Sequence, residues 1–199
     1  MFISFEGIDG SGKSTQARRL AQALNARGTE TLLTREPGGS EGAEQIRRLL
    51  VEGRGERWSP ETELLLFTAA RRDHVERLIR PGLDRGAWIV TDRFADSSRV
   101  YQGVARADLR HLVEELHRLT IGIEPDRTFL IDIDPAVALA RGQARGGAED
   151  RFEGLGVDFQ RRLRAGFLAL AAECPDRIRI IDGRGTEDDI AARVLEALE

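Results

Sequence analysis

The chain has 199 residues, is 41% hydrophobic and 32% charged, and carries a net charge near −4. That bounds it to one ordinary soluble domain with room for a real core, and it supplies no global attraction to nucleic acid or to a membrane surface. The single cysteine, Cys174, excludes an intramolecular disulfide and a multi-cysteine zinc site and fits a reduced, cytoplasmic setting, while the lack of a charged-then-apolar leader or an 18-residue apolar run predicts neither export nor a membrane span.

In chain order, Phe2-Ile3-Ser4-Phe5 is apolar and β-prone. It leads into Gly7-Ile8-Asp9-Gly10-Ser11-Gly12-Lys13-Ser14-Thr15, which fits the G-x-x-x-x-G-K-[ST] phosphate-loop pattern in full. Ala17, Leu20, Ala21 and Leu24 then recur at helical spacing over residues 13–26, and Gly28 is placed to end the helix. The glycines let successive backbone N–H groups face one anion, and the helix N-terminus adds positive potential. Lys13 is placed to reach the β- and γ-phosphates of a bound nucleotide, and the Ser14 hydroxyl to bind Mg²⁺. Of the thirty Lys and Arg residues, Lys13 is the only lysine. It stands where a compact ammonium on a flexible stem suits phosphate.

Thr31-Leu32-Leu33-Thr34 reads as a second strand. Residues 35–40 then form a loop, because Pro37 and Gly38-Gly39 stop both strand and helix. Arg35 and Glu36 fall at the strand end, where α/β proteins bind ligands. Residues 41–51 predict a helix with Ile46, Leu49 and Leu50 as its apolar side. Arg47 and Arg48 point about 100° apart, so at most one faces a site. Pro60 opens the next helix with Ser59 as N-cap, and the helix runs through His74 towards Ile79. Phe67 and Arg71 are four residues apart and share a face, so the ring can stack a base while the guanidinium bonds its edge. His74 reads as a surface residue, with no second histidine at metal spacing.

Ala87-Trp88-Ile89-Val90-Thr91 is a buried strand ending in Asp92-Arg93. A carboxylate there suits a Mg²⁺ ligand or a water-orienting acid, and Arg93 can clamp a phosphate. Residues 94–103 form a loop or short helix in which Ser98, Tyr101 and Gln102 offer one ring and several hydrogen-bonding groups. Residues 108–121 are amphipathic, with Leu109, Leu112, Val113, Leu116 and Leu119 as a core stripe or dimer face. His111 and His117 beside it read as structural or exposed. Residues 128–133 are a strand, and Asp134-Pro135 starts a helix. Residues 141–153 are rich in glycine and arginine and lie between two helices. That is the composition of a lid bringing cations over a transferring phosphoryl group. Residues 159–172 are helical, 177–181 form the last strand, and 187–198 the closing helix. Asp182-Gly183-Arg184-Gly185 lies at a strand end where a nucleotide base can rest. The alternation predicts an α/β fold with a parallel sheet of about five strands and helices on both faces.

The motifs Phe5-Glu6-Gly7-Ile8-Asp9-Gly10-Ser11-Gly12-Lys13-Ser14-Thr15, Thr34-Arg35-Glu36-Pro37-Gly38-Gly39, Asp92-Arg93-Phe94, Ser97-Ser98 with Tyr101-Gln102-Gly103, and Glu149-Asp150-Arg151-Phe152-Glu153 together resemble the bacterial thymidylate kinases from end to end. The phosphate loop alone says only nucleotide; the other four motifs are specific. The resemblance implies a P-loop NTPase-type fold of nucleoside monophosphate kinase architecture, one domain over residues 1–199 with a lid at roughly 141–155. It implies a cytoplasmic homodimer that moves the ATP γ-phosphate to dTMP with Mg²⁺, giving dTDP and ADP. By the same resemblance Phe67 stacks on thymine and Arg71 donates to its O4, which rejects the cytosine amino group because arginine has no acceptor. Ser98 and Gln102 contact the base, Tyr101 crowds C2′, Asp9 binds the 3′-hydroxyl, and Arg47 and Arg93 hold the dTMP phosphate, with Glu36 and Pro37 nearby. Residues 7–15 with Arg141, Arg145 and Arg184 bind ATP, and Ser14 and Asp92 hold the metal. Asp9, Gly10 and Ser11 fill the loop positions where some members carry their transition-state arginine. Here it must come from the lid: Arg151 first, then Arg145 or Arg141.

Phe94 stands where Tyr or His is common, and Arg99 is more polar than usual for its position. Another nucleoside or nucleotide kinase is the runner-up, opposed by the set Phe67, Arg71, Tyr101 and Gln102. A GTPase switch needs the lysine of N-K-x-D, which this chain lacks. A non-catalytic phosphate-loop scaffold is opposed by the intact Lys13 and Ser14 and by the arginine-bearing lid.

Overall fold

The structure, a computed structural model, describes residues 1–52, 57–106, 108–145 and 156–198. Its strands are β1 Phe2–Glu6, β2 Thr31–Arg35, β3 Trp88–Asp92, β4 Arg127–Asp132 and β5 Ile178–Asp182. They pair in parallel in the order β2-β3-β1-β4-β5. The chain leaves β1 to one side for β2 and β3, then crosses to the other for β4 and β5. The strand order therefore reverses at β1, and the crevice at its carboxyl end is where such sheets bind ligands. The phosphate loop starts there. Register aligns the neighbouring strand ends: Phe5 lies opposite Asp92 and Phe129, Arg35 opposite Asp92, and Asp132 opposite Asp182.

The helices are α1 Lys13–Ala26, α2 Glu41–Val51, α3 Pro60–His74, α4 Arg80–Asp84, α5 Ala95–Val100, α6 Arg110–Leu116, α7 Pro135–Arg145, α8 Gly156–Glu173 and α9 Glu187–Glu196. Ser59 caps α3 as expected, its hydroxyl accepting Thr62 N–H at 3.2 Å with Pro60 in the first turn. α3, α5 and α6 each pass into a π-helical turn, over Val75–Ile79, Tyr101–Arg106 and His117–Ile121, where the sequence predicts plain helix for the first and third and a loop or short helix for the second. Such turns concentrate at functional sites, and the second carries Tyr101 and Gln102.

Alternation along β1 sorts the two layers. Ile3 and Phe5 pack with Ala17, Leu20 and Leu24 of α1 and Ile190 and Val194 of α9. On the opposite face Phe2 meets Val75, Ile79, Ile89 and Phe94. Next to that, Phe159, Leu163, Phe167 and Leu170 of α8 cover Leu130 and Ile178. Each such buried side chain contributes ~1.5–3 kcal/mol, so the carboxyl edge of the sheet is a stiff platform. Ser4 and Glu6 share the Phe2 face and are buried though polar. Ser4 Oγ bonds Thr128 Oγ1 at 2.7 Å across the paired strands. Thr128 also takes Arg177 Nη1 at 2.8 Å, and Arg177 bridges to Asp96 at 2.6 Å. Asp96 in turn binds Arg99 at 2.8 Å, and Glu114 and Glu124 complete that arginine's shell. The unusual polarity at position 99 is thus answered by three carboxylates.

Candidate active site

The phosphate loop turns at Gly7 (φ +140°), Gly10 (φ +81°) and Gly12 (φ +93°). A Cβ on Gly10 would stand 2.0 Å from the Ala138 carbonyl oxygen of α7, and one on Gly7 would stand 2.7 Å from that of Ile131. Only glycine fits where the loop lies this close to β4 and α7. Lys13 is buried, and its Nζ donates to the Ile8 carbonyl at 3.3 Å and lies 3.5 Å from Asp9 Oδ1. Burial, and after it Arg93, lower its pKa against the pull of Asp9, Asp92 and Glu6. The ammonium is thus under-compensated, and a polyphosphate would supply the missing negative charge. Ser14 is exposed at the start of α1.

Arg93 follows β3 with φ +71°, a left-handed conformation for a residue with a Cβ. Its N–H donates to the Phe5 carbonyl at 2.9 Å, and the Thr91 hydroxyl donates to its own carbonyl at 2.9 Å. This turn sends the guanidinium back across the phosphate loop. Nη1 reaches the Gly7 carbonyl at 3.3 Å and Ser97 Oγ at 2.8 Å. Nη2 pairs with the Asp9 carboxylate and reaches the Tyr101 hydroxyl at 3.0 Å. Tyr101 donates to Asp9 Oδ2 at 2.9 Å, closing a triangle. Burial would raise the Asp9 pKa, but Arg93 and Lys13 override it and hold the carboxyl well below the usual range.

Arg93 therefore pairs with Asp9 rather than with its neighbour Asp92. Asp92 Oδ1 is buried and has no hydrogen-bond partner among the described residues. It lies close enough to Lys13 to act on its charge. One orphaned carboxylate oxygen and one hydroxyl fit a hard cation that keeps waters and phosphate oxygens as its other ligands, as Mg²⁺ does. Among the described residues no three His, Cys, Asp or Glu side chains cluster as a protein-only metal cage.

Glu6 carries no assignment from the sequence, yet it organises this corner. Its Oε1 accepts Phe94 N–H at 2.8 Å and Ser97 N–H at 3.3 Å, and its Oε2 accepts the Ser97 hydroxyl at 2.6 Å. The carboxyl thereby caps the short α5 that follows Arg93. Burial, then Asp96, raise its pKa to about 7, against the lowering effects of Arg93, Ser97 and Phe94. The folded state holds this proton more tightly than the unfolded chain. Its stabilising effect is full below the ordinary value of 4.5 and is lost as pH rises through about 7. Glu6→Gln is expected to flatten that dependence. Urea midpoints at about pH 5 and about pH 8 should separate more in the wild type than in the variant.

The second half of the site lies between α3 and α5 with its π-helical continuation. Glu63, Phe67 and Arg71 recur every four residues and share a face of α3. Phe67 is half-buried, and Arg71 and Glu63 are buried. Arg71 Nε donates to Glu36 Oε2 at 2.7 Å, and its Nη2 donates to the Phe94 carbonyl and to Ser98 Oγ, both at 3.1 Å. Its Nη1 makes no hydrogen bond among the described residues. Gln102 Nε2 donates to Glu63 Oε1 at 2.8 Å.

His74 corrects the sequence reading. It is fully buried, not at the surface. Its Nδ1 lies 3.2 Å from Glu36 Oε1 and its Nε2 lies 2.7 Å from Thr34 Oγ1. With an acceptor-only carboxylate on one side, Nδ1–H donates to Glu36 and Nε2 accepts the Thr34 hydroxyl. Glu36 is thus gripped on one oxygen by His74 and on the other by Arg71. The Glu36–Pro37 peptide bond is cis. Arg47 Nη1 donates to the Pro37 carbonyl at 2.6 Å, whereas Arg48 is exposed. Arg47 is the one of the pair that turns towards the site.

Of the arginines assigned to ATP, Arg141 is half-buried on α7 and Arg145 ends that helix. Arg151, with the rest of the predicted lid from residue 146 to 155, lies outside the described residues. Arg184 is exposed, and its guanidinium is engaged by both oxygens of Asp182, at 2.9 and 2.8 Å. The buried acids Glu6 and Glu63 and the buried His74 are what the sequence reading missed. The four-residue rhythm of Glu63, Phe67 and Arg71 was the available signal for one of them.

Comparison with known proteins agrees with this geometry. The model of the family described as Thymidylate kinase matches residues 5–194. A thymidylate kinase of Dinoroseobacter shibae is 66% identical over 196 residues, covering 98% of this chain and 95% of that protein. One of Ruegeria pomeroyi is 60% identical, covering 98% and 93%. The crystal structure of thymidylate kinase from Ehrlichia chaffeensis superposes with a TM-score of 0.83 at 33% identity, covering 100% of this chain and 98% of that one. With a phosphate loop and a buried charged corner on one sheet edge, and relatives matched along nearly their whole length, the chain belongs to the thymidylate kinase family.

Proposed function

We infer that the chain transfers the γ-phosphoryl group of ATP to dTMP, giving dTDP and ADP, in the presence of Mg²⁺. The observation that carries the acceptor reading is Arg71. Three contacts fix the guanidinium to Glu36, Phe94 and Ser98, and Nη1 is left as a donor on the helix face of α3 that also carries Phe67. A fixed donor there suits thymine O4, with Phe67 stacking on the ring. Ser98 and Gln102 complete the base contacts. Tyr101 stands against C2′ and Asp9 against the 3′-hydroxyl. Arg47 and Arg93 take the acceptor phosphate, with Glu36 and Pro37 shaping the loop between them.

Residues 7–15 cradle the ATP phosphates, with Lys13 on the β- and γ-groups. Arg141 and Arg145 approach from α7, and Arg184 lies at the base end. Mg²⁺, held by Ser14 and Asp92, would neutralise charge on the phosphate oxygens. Arg151, from the lid at roughly 141–155 of a single domain, is the proposed transition-state cation, with Arg145 as its companion. No side chain need act as a strong base, because positioning and charge neutralisation dominate a loose phosphoryl-transfer transition state.

We read the chain as a cytoplasmic homodimer that takes neither nucleic acid nor membrane as a partner. Exposed leucines support the dimer: Leu119 at 67%, Leu65 at 53% and Leu112 at 36% lie on α3 and on α6 with its continuation. No helix among the described residues is long and apolar enough to cross a membrane. Light scattering should give twice the 22.1 kDa chain mass; a particle of one chain mass would contradict the dimer. The transfer itself is tested with γ-labelled ATP. The label should appear in dTDP with an equal amount of ADP. Label appearing as inorganic phosphate would overturn the reading.

A further inference from the structure

Glu63 and Gln102 are both removed from water, at 0% and 2% exposure. Gln102 Nε2 donates to Glu63 Oε1 at 2.8 Å. A carboxylate offers only acceptors, so the amide end turned towards it is the NH₂ group. The carbonyl Oε1 of Gln102 then lies on the side away from Glu63. Ser98, four residues before Gln102 on the same helical face, takes Arg71 Nη2 at 3.1 Å. Two polar rungs, Arg71–Ser98 and Glu63–Gln102, therefore tie the two segments together, and Phe67 lies between Glu63 and Arg71 on α3.

We infer that Glu63 is a specificity-determining positioning residue, which holds the Gln102 amide so that its carbonyl meets the acceptor base as a hydrogen-bond acceptor for N3–H. This rests on the reading of the pocket as the dTMP site. Thymine presents an acceptor at O4 and a donor at N3; cytosine presents an amino donor at C4 and a bare acceptor at N3. Arg71 opposes the cytosine amino group. A free amide at position 102 would not oppose cytosine N3, because rotating it by half a turn exchanges its oxygen for its nitrogen. Glu63 makes that rotation unfavourable, since it would set a carbonyl against a carboxylate in a buried site. The second half of the base code is thereby written at a residue that does not touch the base.

Glu63→Gln separates this role from simple packing. The new amide can accept from or donate to Gln102, so Gln102 is released to turn. The ratio of kcat/KM for dTMP to that for dCMP should fall about tenfold. Most of that fall should come from a rise on dCMP, with dTMP changed about twofold and the KM for ATP unmoved. The exchanged variant Glu63→Gln/Gln102→Glu restores an NH₂ group facing a carboxylate and puts an acceptor-only group at position 102. Its ratio should return close to that of the wild type, and it carries the test if the single variant does not fold by thermal melting. Equal losses on both acceptors with the ratio unchanged would show a merely structural Glu63 and overturn the inference, as would an exchanged variant that keeps the lowered ratio. A wild type that does not prefer dTMP would instead sink the reading of the pocket itself.

Discussion

Lys13→Ala is expected to lower kcat by about 10³-fold and to leave the folded chain at least as stable as the wild type. The two effects have one cause. The Lys13 ammonium is buried, and burial and Arg93 both disfavour its charge. Its protein contacts are one carbonyl at 3.3 Å and a long approach to Asp9 at 3.5 Å. The fold gains little from it, whereas a γ-phosphoryl group in transit needs that charge. Methyl truncation should leave Gly7, Gly10 and Gly12 in their turns, because their shape is set by Ile131, Ala138 and the backbone. Steady-state kinetics with a thermal melt on the same preparation checks both halves. A large loss of stability, or a kcat within tenfold of the wild type, would refute this account of Lys13.

Arg93→Ala is expected to remove activity and stability together. Its guanidinium pairs with Asp9, Gly7, Ser97 and Tyr101 while only 16% exposed. Truncation leaves the Asp9 carboxylate without its chief counter-charge, which costs about 3–5 kcal/mol, or roughly 10 °C in Tm for a chain of this size. The deficit should depend on pH. In the wild type the Asp9 pKa is depressed, so its stabilisation is present above the ordinary value of 3.8 and is lost only as pH falls through the depressed one. Without Arg93, burial pushes the same carboxyl up, and acid neutralises it. The gap between the two proteins should be widest near neutrality and narrow below about pH 4. A gap that is constant with pH would show that Asp9 is not what Arg93 compensates.

What was legible in the sequence was local. The α1 and α2 limits, the Ser59 cap and the phosphate loop follow from spacing, capping and glycine placement within a few residues. Chain order then fixed the parallel sheet. What was not legible depends on partners far apart in sequence. Arg93 reads from the sequence as a phosphate clamp, but its protein partner Asp9 lies 84 residues away and cannot be read from spacing. His74 looked solvated because its partners Thr34 and Glu36 lie 40 and 38 residues before it. Glu6 carries no assignment from the sequence because its partners Phe94 and Ser97 lie 88 and 91 residues away. The direction of the Gln102 amide is set by Glu63, 39 residues away. The π-helical turns escaped because each is a single turn of 5 or 6 residues after an α-helix, too short to show a shifted apolar period.

The most direct test is a coupled ADP-release assay with ATP and Mg²⁺, offering dTMP, dUMP, dCMP, UMP and thymidine in parallel to the wild type and to Arg71→Ala. Turnover should strongly favour dTMP in the wild type, and that preference should vanish in the variant. Faster turnover of another acceptor, or an undiminished dTMP preference in Arg71→Ala, would contradict the assignment of the pocket between α3 and α5.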